Sequence, residues 1–412
     1  MQAPRRVGTG TNQEAVRRHN LGTVLRHVHR AGQLSRAELT RRMGLNRSTI
    51  AALTAELETL GITERTGPAT VSAGERQGAG RPSTGVRLAA TGPYVIAVDL
   101  RVDHATVARV GLGGAIQQRA HASTAGLAEA WQVGAAVATL IRKVVTDASS
   151  SAPLVGIGIA VPGMVRRTDG LIRLAPNLEW HDVSFSSVVL AALGVDIPVM
   201  VANDANLGAL AEHERGAGVG VDDLVYISGQ VGVGAGIITG GHPLEGVGGY
   251  AGEIGHLRFD PTGPPCHCGS TGCWETAVGG PAIAAAIGSA LEDVAQLPQH
   301  LRQLTEASPE LRRIGGDIGR GLASIINAFN PQLVVLGGYF SDVHPLVRDE
   351  ILDGLTCAAL PAALDSVTLT VPSLGDDSVL LGAAEAALDP LLVDPVASIG
   401  TALLDVPARL AG

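Results

Sequence analysis

Read for periodicity, the chain changes character near residue 90. Before that point apolar residues recur at helical spacing among many arginines. Beyond it they gather into short runs broken by glycine. Val16, Leu21, Val24, Leu25 and Val28 share roughly one face of a first helix. Ser35 followed three residues later by Glu38 is a capping box, which predicts a helix over 36–43 that Gly44 ends. Asn46 can cap a helix over 47–59, where Ile50, Leu53, Leu57 and Leu60 recur at i, i+3, i+7 and i+10. One side of that helix is therefore core, and Arg47, Ser48, Thr49 and Ala52 are left exposed at its N-terminal end. This is the pattern of a helix-turn-helix, in which that end of the second helix enters the major groove. A Gly/Ala/Ser-rich stretch over 67–80, closed by Gly80-Arg81-Pro82, and an extended segment over 86–88 predict a β-wing.

From Tyr94 the runs read as buried strands over 95–100, 154–161, 224–228, 234–239 and 333–337. Helical stretches over 128–146, 281–295 and 314–328 alternate with them. The expectation is an α/β body of about 300 residues, too large for one simple lobe. No apolar run of 18 or more lacks glycine and charge. The segment Met1-Gln2-Ala3-Pro4-Arg5-Arg6 also lacks the apolar core of a secretory signal. A cytoplasmic protein that does not engage a membrane is expected.

Charge sharpens the division. Residues 1–87 hold 14 Arg, no Lys and 6 Glu, a balance of +8, whereas the remainder carries −17. A basic head on an acidic body suggests that the head meets a polyanion and the body does not. Arg36, Arg47, Ser48 and Thr49 in the helices, with Arg76 and Arg81 in the wing, are the candidate DNA contacts. Each arginine is first a phosphate contact, since most such contacts position rather than specify. A helical dimerisation module without nucleic acid is the plainer alternative, opposed by spacing and charge together.

The sharpest chemical signal lies in Gly252-Glu253-Ile254-Gly255-His256 and Cys266-His267-Cys268-Gly269-Ser270-Thr271-Gly272-Cys273-Trp274-Glu275. The chain has 4 cysteines, and three of them fall between 266 and 273. Their glycines let the backbone fold the sulfurs toward one point. One imidazole and three thiolates, His256, Cys266, Cys268 and Cys273, form a closed tetrahedral set of the kind that holds one structural Zn2+. Three ordinary cysteines in a Gly/Pro-rich loop are the bland reading, and such density in a cysteine-poor chain argues against it. Thiols so placed, in a chain without an apparent signal, point to metal in a reducing compartment rather than disulfides. Cys357, alone in an apolar stretch, is expected to be a buried small hydrophobe.

Several independent motifs resemble the ROK family (repressors, open reading frames, kinases), and within it the winged-helix regulators of the NagC, Mlc and XylR kind. They are Leu34-Ser35-Arg36-Ala37-Glu38-Leu39 with Gly80-Arg81-Pro82, the run from Gly156 to Gly163, and Pro176-Asn177-Leu178-Glu179-Trp180. Asn203-Asp204-Ala205-Asn206, Ala251 to His256 and the cysteine knuckle complete the set. The resemblance spans about residues 12 to 388. It implies a winged helix-turn-helix followed by an α/β, two-lobed, actin-like sugar-kinase (ROK) fold with the ligand in the cleft. The expected division is 1–88 for the DNA-binding domain, 89–200 and 201–388 for the two lobes, and 389–412 for a helical tail.

A hydroxyl-rich ligand needs carboxylates and amides at fixed points. Asn203, Asp204, Glu253, His256 and Glu275 supply that set, and by resemblance each matches a sugar contact. Gly163 and Asn177 lie in motifs lining the same cleft. His256 is expected to give one ring nitrogen to zinc and turn the other to the sugar.

In the ROK kinases the counterpart of Asp204 is the general base. Kinases also carry Asp-x-Gly-Gly-Thr-Lys near the first strand, where this chain has Asp99-Leu100-Arg101-Val102-Asp103-His104. Their second phosphate loop, Gly-Thr-Gly-x-Gly-x-Gly, is here Gln230-Val231-Gly232-Val233-Gly234-Ala235-Gly236. Phosphoryl transfer needs amides and cations around the phosphates. Bulk at Arg101 and Val102, charge at Asp103 and the lost hydroxyl at Val231 all argue against it. The expectation is a non-catalytic, sugar-responsive transcriptional repressor with Asp204 as a vestigial base. Its partners are operator DNA, a small sugar and a second copy, as a homodimer or homotetramer. An ATP-dependent sugar kinase with a fused DNA-binding head is the alternative, and a regulator answering to a protein partner is a third.

Overall fold

The computed structural model describes residues 12–68, 84–146, 152–289 and 296–402. The head contains helices Gln13–Ala31, Arg36–Met43 and Arg47–Thr59 and a small antiparallel sheet. In that sheet Thr84–Leu88 lies between Gln33–Ser35 and Thr63–Pro68. Asn46 accepts from the Thr49 amide at 2.8 Å and Ser35 from the Glu38 amide at 3.1 Å, so both expected caps form. The capping box is incomplete: the Glu38 carboxylate turns to Arg41 and Arg42 instead of returning to residue 35. Val16 is also exposed, because the first helix buries side chains only from Leu21 onward. The head core is Leu21, Val24, Leu25 and Val28 against Leu39, Ile50, Leu53, Leu57 and Ile62.

The body repeats one sheet design. In the first lobe Tyr94–Leu100 runs antiparallel to His104–Gly111 and parallel to Leu154–Val161, with Ile116–Ser123 and Val199–Asn203 at the edges. In the second lobe Leu224–Gly229 runs antiparallel to Val233–Thr239 and parallel to Leu333–Gly338. Helices cover both sheets, so the central strands are apolar on both faces, and every residue of Tyr94–Leu100 and Leu154–Val161 is buried. The expected strands therefore form, each within a residue or so of its predicted ends.

The expected edge at 88 coincides with the end of the strand Thr84–Leu88, whereas the other two fall inside elements. Position 200 lies in the strand Val199–Asn203, and 388 lies in the helix Ser378–Val393. That last long helix packs back on the first-lobe sheet, where the body began. The helix expected over 281–295 is seen as Gly280–Ala286, and residues 290–295 lie outside the described set. Cys357 is exposed rather than buried, because Arg348–Ala358 buries Ile351, Gly354 and Leu355 on its other face. Among the described residues no helix is long and apolar enough to cross a membrane.

Candidate functional site

A cavity of about 140 Å³ lies between the lobes. At roughly 10–15 Å³ for each water it has room for on the order of ten waters, the scale of a single sugar ring. Gly163, Asn177, Asn203, Asp204, Glu253, His256 and Glu275 all line it. They come from five separate stretches of the chain, so only the fold brings them together.

Asn203 and Asp204 sit at the strand-to-helix junction that opens the helix Asp204–Arg215. Asn203 caps that helix through the Asn206 amide at 3.1 Å, and its side-chain amide donates to the Gly163 carbonyl at 3.1 Å. Its polar atoms are thus already engaged in holding the wall. Asp204 is 7 % exposed and accepts from the Ala205 amide at 2.9 Å. Burial, and then the Asp99 charge beside it, push its carboxyl up to about 7 against the relief from Ala205 and Arg101. Glu253 is also pushed up, chiefly by burial, while His256 pulls the other way. Glu275 accepts from the Val233 amide at 2.8 Å, which fixes its carboxylate. A side chain at position 232 would stand on that carboxylate, so Gly232 is needed for the close approach.

Behind these residues the ligand atoms of His256, Cys266, Cys268 and Cys273 lie within 4.8 Å of one another. Cys268 and Cys273 have their sulfurs 3.6 Å apart, and His256 Nδ1 is 3.7 Å from the Cys266 sulfur. A tetrahedral ion with bonds of about 2.3 Å to sulfur sets its sulfurs about 3.8 Å apart, so the spacing suits a metal ion and is far too long for a disulfide. Cys266 Sγ also reaches Glu275 Oε1 at 3.6 Å, which joins the cluster to the cavity wall. A metal ion held by the four groups would fix the His256 ring and, through Cys273, the start of the helix Trp274–Val278 that carries Glu275.

Beyond Val231 the cleft opens into an adjoining cavity of about 490 Å³, lined by residues such as Arg101, Asp103, Gly338 and Tyr339. Arg101 is held 3.0 Å from Asp99, and His104 2.7 Å from Asp103. Asp99 is buried, and its second oxygen has no hydrogen-bond partner among the described residues.

Comparison with known proteins fits this geometry. Residues 95–389 match the model of the ROK family. The chain belongs to the ROK family. It is similar to the xylose repressor of Bacillus subtilis (strain 168), 29 % identical over 389 residues that cover 92 % of this chain and 98 % of that one. It is also similar to a glucokinase of Halalkalibacterium halodurans, 31 % identical over 305 residues that cover 66 % of this chain and 92 % of the kinase. Among solved structures, a ROK family transcriptional regulator, homolog of the E. coli Mlc protein, superposes with a TM-score of 0.73. It covers 93 % of this chain and 99 % of its own at 24 % identity. A ROK glucokinase from Streptomyces griseus in complex with glucose and AMPPNP gives 0.61 and 27 % identity over 72 % of this chain and 99 % of its own. The repressor matches reach into the head, whereas the kinase matches span 57 % to 74 % of the chain.

The residues expected to contact a sugar all line the smaller cavity, and the departures from the kinase motifs at Arg101, Asp103 and His104 line the larger one. In the head, Arg47 and Ser48 are exposed at the start of Arg47–Thr59 and Thr49 is half-buried. The Ser48 hydroxyl donates to the Asn46 cap at 2.7 Å. Arg36 is half-buried beside Glu58 at 3.6 Å, a poorer position for reaching DNA than its sequence position suggests. Arg76 and Arg81 lie outside the described residues. Met164, Gln230 and His267 also line the smaller cavity and were not among the expected contacts. His267 carried a signal, since it sits between two cluster cysteines, and Gln230 opens the loop set against the kinases' second phosphate loop; Met164 carried none.

Proposed function

We propose that this chain is a sugar-responsive DNA-binding transcriptional regulator, a repressor, whose two-lobed domain senses a sugar without phosphorylating it. The observation that carries this reading is Arg101. Its guanidinium is locked to Asp99 beside Asp204, where a kinase needs glycine amides around phosphate. Asp103 adds negative charge, and Val231 offers no hydroxyl. The carboxylates of the sugar half remain, so binding is retained and transfer is not.

In this reading Asp204, Glu253, Glu275 and His256 hydrogen-bond the sugar hydroxyls, and Asn177 and Asn203 shape the wall. The four-residue cluster holds one structural zinc ion, which supplies rigidity and a fixed imidazole tautomer. The head acts as a winged helix that lays Arg47–Thr59 in the major groove. A symmetric dimer, or a tetramer built from it, presents two heads to a palindromic operator. The similarity to xylose repressors makes D-xylose the first sugar to try, with D-glucose second.

The kinase reading has one observation in its favour. An Asp204 carboxyl near 7 suits a general base at neutral pH. It still lacks the phosphate side. The regulator reading is tested by binding of the full-length protein to DNA upstream of its own gene, with and without D-xylose or D-glucose. The expected result is operator binding that a sugar weakens, with micromolar to millimolar affinity for that sugar by calorimetry. No operator binding at low salt without sugar would contradict it.

A further inference from the structure

The helix that begins in the sugar cavity ends at the DNA-binding head. Asp204–Arg215 has 12 residues, so it spans about 18 Å at 1.5 Å per residue. Its first residues line the cavity, and its last residue, Arg215, enters a buried junction with two other parts of the chain. The Arg215 guanidinium bonds Glu385 of the final long helix and abuts the ring of His29, which belongs to the first helix of the head. Glu385 in turn pairs with His29 Nε2 at 2.9 Å. The other ring nitrogen, His29 Nδ1, accepts from the Gly113 amide of the first lobe at 3.0 Å. That bond requires an unprotonated Nδ1, so in the neutral ring Nε2 carries the proton and donates to Glu385. His29 is 2 % exposed and Glu385 5 %.

Four units therefore meet at one imidazole: the head, the first lobe, the cleft helix and the final helix. At the rim, Arg30 clamps Glu214 in a bidentate pair at 2.6 and 2.7 Å. Contacts on either side leave little slack. Gly22 of the head helix lies so close to the final helix that a Cβ there would stand 2.6 Å from the Leu392 carbonyl. On the cleft helix, buried Glu212 accepts from the Ser373 and Leu374 amides and the Ser378 hydroxyl, tying that helix to the turn that starts the final one. The cleft helix also packs on the second-lobe sheet, where Gly208 lies against the Tyr226 ring, so a change in lobe angle loads the contacts between the cleft helix and the first lobe. The head is bonded to both, so it cannot keep all its bonds through that change.

We propose that the His29–Glu385–Arg215 junction, with the Arg30–Glu214 clamp at its rim, couples sugar in the cleft to the placement of the DNA-binding head. This rests on the regulator reading above. The junction is a two-state element in the sense coupling demands. Buried charges tolerate being paired or repaired but not being left half-bonded, so intermediate placements are disfavoured. A sugar that binds one lobe angle better than the other then biases which junction forms.

The test uses the full-length protein, D-xylose and D-glucose as probes, and its own upstream DNA. In wild type the bound sugar is expected to weaken operator binding by a factor within roughly 5–150. Arg215→Met should bring that factor below about twofold while the DNA-free protein keeps its sugar affinity within about threefold, as a loss of coupling requires. If Arg215→Met fails to fold, the exposed clamp carries the test. Glu214→Arg should reduce the factor, and adding Arg30→Glu should restore it. Amide exchange gives a second readout, since sugar should raise exchange of the Gly113 amide in wild type and leave it unchanged in Arg215→Met. A variant that binds sugar and operator and keeps the full wild-type factor overturns the proposal. A wild type that binds neither sugar nor operator instead removes the regulator reading, which separates the two failures.

Discussion

The half of the cleft lined by Asp204, Glu253 and Glu275 and the half beyond Val231 are walls of one interlobe space, equipped in opposite ways. The first is the smaller, at about 140 Å³ against about 490 Å³. Yet it gathers Asp204, Glu253, Glu275 and His256, with Glu275 and Asp204 anchored on backbone amides. The second presents an arginine already paired with Asp99 and a histidine already paired with Asp103. Volume alone would choose the larger cavity as the ligand site. Converging, unspent hydrogen-bonding groups choose the smaller one, because polar groups at fixed points are what fix a polar ligand. Under the proposed function, the contrast is how a kinase-like fold would keep recognition and lose chemistry.

The largest effect that would break the contrast comes from the metal cluster. Cys268→Ser should abolish tight zinc binding and weaken sugar binding together, since structural zinc in small domains contributes on the order of 10 kcal/mol. Elemental analysis of protein purified without added metal should give about one zinc per chain in wild type. A metal-free protein that still bound sugar would separate the cluster from the site.

Next is Asp204. Its carboxyl stands at about 7 in the folded chain against 3.8 ordinarily, because of burial. The folded state holds a proton that the unfolded state releases, so the group costs stability as pH rises from about 4 to about 7. Asp204→Asn should therefore be the more stable protein at pH 8, by a few kcal/mol at most, with the gap closing by pH 4. Urea unfolding midpoints at the two pH values check this, and an equal gap at both would remove Asp204 as its source.

Glu253→Ala should raise the Kd for the sugar by about 100-fold, on the order of 2–3 kcal/mol, through loss of a charged hydrogen-bond acceptor. Calorimetry reads it directly, and a shift under threefold would move the site away from Glu253. The smallest effect lies in the head. Arg47→Ala should cost roughly 1–3 kcal/mol of discrimination between operator and random DNA if Arg47 reads a base edge. Equal losses on both DNAs would make it a phosphate contact.

Much of this site was legible in the sequence because its signals are local. Glycine-spaced cysteines, the Asn203-Asp204 pair after a buried strand and the caps at Ser35 and Asn46 each lie within a few residues of what they act on. The misses share the opposite property. Val16 and Cys357 have apolar neighbours in sequence, but their burial depends on where a distant helix passes. Glu38 has two arginines one turn away that outbid the cap. His29, Arg215 and Glu385 are separated by 186 and 170 residues along the chain. No spacing rule joins a head histidine to a glutamate in the last long helix. Only the return of Ser378–Val393 to the first lobe does so.

The central claim is that this cleft binds a sugar and does nothing chemical to it. The direct measurement is ADP release in the presence of ATP, magnesium and whichever of D-xylose or D-glucose calorimetry shows to be bound. The account predicts background release with the sugar saturating. Turnover within the ordinary enzyme range of about 1–1,000 per second that disappeared in Asp204→Asn would contradict it and make the protein a kinase.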